Sequence, residues 1–178
     1  SALHIACLAL GLGKGDLLWT SPITFVASAN CGLYCGADVD FVDIDALCFN
    51  ICPKALEIKL EAASKLNRLP KVLGIVHMAG NSAPMYTISS VARKYEIAII
   101  EDASHAIGGK YQGKPVGSCK WSDVTIFSFH PVKIITTGEG GIAVTNSSMI
   151  ASRMEILRSH GITRNSLLMN LSQPEPWY

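Results

Sequence analysis

Ile97-Ala98-Ile99-Ile100-Glu101-Asp102 organises the reading of this chain. Four apolar residues in a row, without polar alternation, form the pattern of a strand buried on both faces, as in a parallel sheet. Two carboxylates follow at once, so they emerge at the strand's carboxyl end, where open α/β sheets bind their ligands. Outward from this strand, apolar runs of strand length alternate with longer periodic segments. The pattern predicts helices over 2–12, 24–36, 53–65, 88–95 and 147–160, with Pro53 in the first turn of the third. It predicts strands over 17–20, 39–43, 71–77, 124–129 and 142–145. The implied class is α/β, a mainly parallel sheet sandwiched by helices.

A second stretch carries chemistry. Ser128-Phe129-His130-Pro131-Val132-Lys133 runs into Thr136-Thr137-Gly138-Glu139-Gly140-Gly141, which places a lysine on a Gly-rich turn. A lone lysine beside a hairpin is ordinarily a surface residue, and Asp102 alone would be a strand-end turn former or helix cap. Together they are what pyridoxal phosphate requires. An amine condenses with the aldehyde as a Schiff base, and a carboxylate holds the pyridine nitrogen protonated so that the ring takes up electrons. No Gly-x-Gly-x-x-Gly follows a strand, and the glycine turn lacks the Gly-Lys-Ser/Thr of a phosphate loop, so nicotinamide and P-loop chemistries are disfavoured.

Composition bounds the rest. The 178 residues are 49% hydrophobic and 16% charged, which suits one globular domain and not a disordered chain. A net charge of +1 without a Lys/Arg cluster argues against a nucleic-acid partner. No apolar run has the length of a membrane span, and the opening residues lack the order of a signal peptide, so a cytoplasmic location is expected. Among six cysteines, Cys31-x3-Cys35 and Cys48-x3-Cys52 fall within the looser range of zinc-ligand spacing. The apolar setting of the first pair favours reduced, structural thiols over zinc.

These stretches, with Ser1-Ala2-Leu3-His4, Ser21-Pro22-Ile23-Thr24-Phe25-Val26-Ala27, Phe41-Val42-Asp43-Ile44-Asp45, Glu101-Asp102-Ala103-Ser104-His105-Ala106 and Arg158-Ser159-His160-Gly161, resemble the DegT/DnrJ/EryC1/StrS family of sugar aminotransferases. The resemblance implies the large domain of a pyridoxal-phosphate-dependent transferase of the aspartate-aminotransferase type, fold type I. By the same resemblance Lys133 is the Schiff-base lysine and proton carrier, and Asp102 the partner of the pyridine nitrogen. His105 matches the position that contacts the ring's phenolic oxygen, where many members have Gln; a ring-stacking or a buried, hydrogen-bonded His remains open. Phe25 matches an aromatic that stacks on the cofactor, with a plain core role as the alternative. Ser1 and Ser128 match phosphate-binding positions, and Ser1 is compatible with an N-cap as well. Relatives carry a Thr before the second of these serines, where this chain has Phe127. His130, Thr137 and Glu139 are expected to fix the loop.

Sugar dehydratases of the family replace the lysine by His, so Lys133 implies transamination. Together with Glu175-Pro176-Trp177-Tyr178, the lysine turn is most similar to members that aminate C-4 of a UDP-linked 4-keto-6-deoxy-N-acetylhexosamine, with L-glutamate as the usual donor. Family members are longer, with a segment before the position of Ser1 and a small domain after that of Tyr178, and they build each site from two subunits of a homodimer. Residues 1–162 are therefore expected to be part of the cofactor-binding domain, and 163–178 a linker toward a small C-terminal domain. A truncated, inactive fragment and a non-catalytic binding protein on the same fold are the alternatives.

Overall fold

The computed structural model describes residues 1–163 and 165–169. In chain order the helices are α1 (Ala2–Ala9), α2 (Ala27–Tyr34), α3 (Pro53–Lys65), α4 (Met85–Arg93) and α5 (Ser148–Arg158). The strands are β1 (Leu17–Thr20), β2 (Asp38–Phe41), β3 (Val72–Val76), β4 (Ala98–Asp102), the short pair β5 (Lys110–Tyr111) and β6 (Lys114–Pro115), β7 (Val124–Ser128) and β8 (Gly141–Val144). Single 3₁₀ turns occupy Met78–Gly80 and Ser166–Leu168. The expected tail motif Glu175-Pro176-Trp177-Tyr178, and most of the expected linker, lie outside the described residues.

Six strands form one sheet in the order β2-β1-β3-β4-β7-β8. The first five are mutually parallel, and β8 returns antiparallel to β7, which makes the sheet mainly parallel. Register aligns the carboxyl ends of the central strands, with Val76 opposite Asp102 and Asp102 opposite Ile126.

Alternation along the strands feeds two cores. Leu73, Ile75 and Ile99 pack with Leu56, Leu60, Met85 and Ile88 of α3 and α4. Leu18, Val72, Ile100 and Ile126 pack with Ala6, Cys7, Cys31 and Met154 of α1, α2 and α5. Among the described residues, no helix is long and apolar enough to cross a membrane.

Local chemistry sets the element ends. Pro53 opens α3 at a position that needs no N–H donor, and Ser147 caps α5 by accepting from Ile150 N at 3.3 Å. The first helix stops three residues short of its expected end. Gly11 adopts φ +78°, and Leu12 N donates back to the Cys7 carbonyl at 3.0 Å, closing the turn. The second begins at Ala27, not at residue 24, because Ser21 Oγ binds Ile23 N at 3.2 Å and turns the chain first. Phe25 therefore lies ahead of the helix and is 75% exposed, which removes its core alternative.

The six cysteines are free thiols, and no cluster of metal-ligating groups occurs among the described residues. Cys7 is pushed up from the ordinary thiol range by its hydrogen bond with Cys31 and by burial.

One buried polar cluster ties the sheet together. Glu101 Oε2 lies 2.8 Å from His77 Nε2, while Oε1 accepts from Thr125 Oγ1 at 3.1 Å and from Ser122 Oγ. His77 Nδ1 accepts Ala83 N–H at 3.1 Å, which places the ring hydrogen on Nε2 as the donor to Glu101. The ends of β3 and β4 and the start of β7 are thus joined through side chains as well as through the ladder. Burial alone would raise the Glu101 carboxyl, but the donors from His77, Ser122 and Thr125 prevail and hold it below the usual range.

Glu101→Ala should leave those donors unsatisfied and cost about 3 kcal/mol in urea unfolding, since each buried unpaired group costs about 1–3 kcal/mol. Because the folded carboxyl titrates below the unfolded one (about 4.3), its stabilisation is complete above the unfolded value. It is lost as pH falls through the folded value. The wild-type protein should therefore lose stability on acidification more steeply than Glu101→Gln does, and equal slopes would rule out this role for the carboxylate.

Candidate active site

At the carboxyl edge of β3, β4 and β7 opens a cleft of about 1210 Å³. Ser1, Phe25, Asp102, His105, Ser128 and Lys133, the six residues singled out from the sequence, all line it. They arrive from four separate stretches of the chain, and the parallel register gathers them at one end of the sheet.

Asp102 follows Ile100 on the α1/α2 face, opposite to Glu101, and is 6% exposed. Its Oδ1 accepts from Ser104 twice, from N at 3.2 Å and from Oγ at 2.6 Å. Its Oδ2 accepts from Ser28 Oγ at 2.7 Å, and Ser28 Oγ lies 2.8 Å from Thr24 Oγ1. Ser28, Ser104 and Thr24 were not anticipated. The signals were present: Thr24 and Ser28 stand one helical turn apart, and Asp-x-Ser is the spacing of an Asx-turn.

His105 is exposed on the cleft wall, so its alternative as a buried, hydrogen-bonded histidine does not hold. Its carbonyl rests against the Met78–Gly80 turn, which is itself held by Met78 N donating to Asn50 Oδ1 at 2.9 Å.

Lys133 sits on a loop closed across its neck. Phe129 N donates to Gly140 O at 2.8 Å, Thr137 N to Phe129 O at 3.0 Å, and Lys133 N to His130 O at 2.9 Å. Thr137 Oγ1 donates to Glu139 O at 2.8 Å, and His130 Nε2 lies 3.9 Å from Glu139 Oε1 across an exposed gap. None of the ion pairs among the described residues engages Lys133.

Ser1 occupies the N-cap position of α1, but its side chain makes no capping bond. Ser128 ends β7 opposite Gly141, and a Cβ on Gly141 would lie 3.7 Å from that of Ala2. The N-terminus of α1 and the end of β7 therefore share one corner of the cleft. The donor set fits pyridoxal phosphate: an unpaired amine for the aldehyde, a buried carboxylate for the ring nitrogen, and a helix N-terminus with two hydroxyls for the phosphate.

Over residues 1–171 the chain matches the DegT/DnrJ/EryC1/StrS aminotransferase family. It is 47% identical over 169 residues to a UDP-4-amino-4,6-dideoxy-N-acetyl-beta-L-altrosamine transaminase of Campylobacter jejuni subsp. jejuni, covering 94% of this chain and 43% of the relative. It superposes with a TM-score of 0.86 on a DegT DnrJ EryC1 StrS aminotransferase from Brucella abortus, 32% identical, with 92% of this chain and 44% of the other covered. The TM-score is 0.79 against NtdA from Bacillus subtilis, solved with bound cofactor PMP, 29% identical, with 92% and 36% covered. The chain thus spans less than half the length of these relatives.

Gly80 gives a direct check on how the cleft wall is held. It adopts φ +86°, and a Cβ there would lie 2.7 Å from the His105 carbonyl oxygen. Gly80→Ala should cost about 2 kcal/mol from backbone strain and overlap and displace His105, seen as shifted His105 resonances in NMR. An unshifted His105 would show that the turn does not support it.

Proposed function

The chain belongs to the DegT/DnrJ/EryC1/StrS aminotransferase family, and on that footing we propose that it forms the cofactor-binding part of a pyridoxal-phosphate-dependent sugar aminotransferase. The reaction we assign is transfer of an amino group from L-glutamate to C-4 of a UDP-linked 4-keto-6-deoxy-N-acetylhexosamine. The product belongs to the sugars of pseudaminic acid biosynthesis. The observation that carries the reading is that the Lys133 amine and the Asp102 carboxylate line one cleft at the carboxyl edge of a parallel sheet. The substrate class is supported by the similarity to the altrosamine transaminase.

Bound in this cleft, pyridoxal phosphate supplies an aldehyde that takes an amine and a ring that takes up electrons. In this reading Lys133 Nζ holds the aldehyde carbon and, once released, carries the proton between the substrate carbon and C4′. The Asp102 carboxylate keeps the ring nitrogen protonated. Phe25, largely exposed at the cleft, stacks on the ring, and His105 faces the phenolic oxygen. Ser1, Ser128 and the first N–H groups of α1 hold the phosphate.

Residues 1–162 are assigned to the large domain and 163–178 to the passage toward a small C-terminal one. A homodimer is part of the proposal, supported by the exposed apolar Leu33, Tyr34, Val132 and Ile134. A cytoplasmic location is supported by the six free thiols.

The test is an NMR assay of the intact protein with isotopically labelled L-glutamate and the UDP-4-keto sugar. Label at C-4, dependent on added pyridoxal phosphate, is expected; an unchanged keto sugar would overturn the reading. In the same assay Asp102→Asn should still bind cofactor but slow transfer on the order of a hundredfold or more, the scale of a lost acid–base group. A near-normal rate would remove Asp102 from the chemistry.

A further inference from the structure

The hydrogen-bond pattern around Asp102 selects which of its oxygens can meet a ligand. A carboxylate oxygen has two in-plane lone pairs. Ser104 N and Ser104 Oγ take both of those on Oδ1, and Ser28 Oγ takes one on Oδ2. Ser28 carries a single hydroxyl hydrogen, spent on Asp102, so in the 2.8 Å contact with Thr24 it is Thr24 that donates. The result is a directed chain, Thr24 O–H to Ser28 O–H to Asp102 Oδ2, in which each bond polarises the next. Ser28 is 3% exposed and anchored in α2, whereas Thr24 lines the cleft.

We propose that Ser28 and Ser104 are positioning residues that leave Asp102 one open acceptor position, on Oδ2, and aim it at the protonated ring nitrogen of the cofactor. The inference deepens the reading of Asp102 given above and rests on it. Its distinctive consequence is an asymmetry. Ser104→Ala keeps the backbone N–H on Oδ1, so that oxygen stays partly occupied. Ser28→Ala frees the second lone pair of Oδ2 and cuts the chain from Thr24, so the carboxylate can turn and take water instead.

The test uses the intact protein loaded with pyridoxal phosphate labelled at the ring nitrogen. It reads the nitrogen chemical shift against pH and the cofactor Kd. Ser28→Ala should weaken cofactor binding about tenfold, the low end of a lost hydrogen bond to a charged group, and the ring nitrogen should lose its proton at lower pH than in the wild type. Ser104→Ala should change affinity only about two- to threefold, in keeping with the donor that remains. Thr24→Val should fall between, and Ser28→Thr, which restores the hydroxyl, should return both readouts toward wild type. A Ser28→Ala protein indistinguishable from wild type, or a larger effect from Ser104→Ala, overturns the proposal. Asp102→Asn separates the two levels of the argument. If it leaves the nitrogen shift unchanged, the reading of Asp102 fails and this inference with it; if it abolishes the pyridinium signal while Ser28→Ala does nothing, only the present inference fails.

Discussion

Two adjacent carboxylates at the end of one strand are sent to opposite faces of the sheet, and the rest of the structure depends on that division. Glu101 turns toward the α3/α4 side and is consumed by His77, Ser122 and Thr125. Asp102 turns toward α1 and α2, where, among the described residues, two serine side chains and one backbone N–H hold it. A buried carboxylate is tolerated only when donors compensate its lost hydration. The first acid meets this condition by stitching three strands together; the second meets it with serine donors and lines the cleft. His77 belongs to both arrangements, since its backbone N donates to Asp102 O at 3.1 Å while its ring binds Glu101.

The location of the cleft follows from topology. Parallel strands in register end together, so residues following β3, β4 and β7 converge without being near in sequence. The antiparallel return of β8 brings the loop from Phe129 to Gly140 back across the same edge, and the lysine turn is held on it by backbone bonds across the neck. Helix α1 approaches that edge with its N-terminus, the end that favours an anion. The proposed site residues thus lie on loops and element ends, while the strands beneath them supply rigidity.

Much of this was legible because the signals were strong and local. Leu17–Thr20 is an apolar run between Asp16 and the Ser21-Pro22 turn, and Pro53–Lys65 has proline at its start and lysine at its end; both elements fall at the expected residues. The β5/β6 hairpin was not foreseen. Its turn places Gln112 and Gly113 at φ 47° and 73°, and Gln is an uncommon first residue for such a turn. Lys133 and Asp102 stand out by residue type and setting, and Ser1, Phe25, His105 and Ser128 through the family resemblance, yet the hydroxyls of Thr24, Ser28 and Ser104 could not be ranked among the chain's many. Ser104 is a local partner at Asx-turn spacing, whereas the role of Ser28 comes from the α2–β4 approach, a contact 74 residues apart in the chain that local spacing alone does not reveal. Gly80 escaped for the same reason, since what crowds it is the carbonyl of His105.

The central claim, that the turn carrying Lys133 and the strand end carrying Asp102 serve one cofactor, is tested most directly by trapping. The protein, incubated with pyridoxal phosphate and reduced with borohydride, would be digested and its labelled peptide sequenced. A pyridoxyl group on Lys133 is the predicted result; a label on another lysine, such as Lys110 or Lys120, would contradict the account.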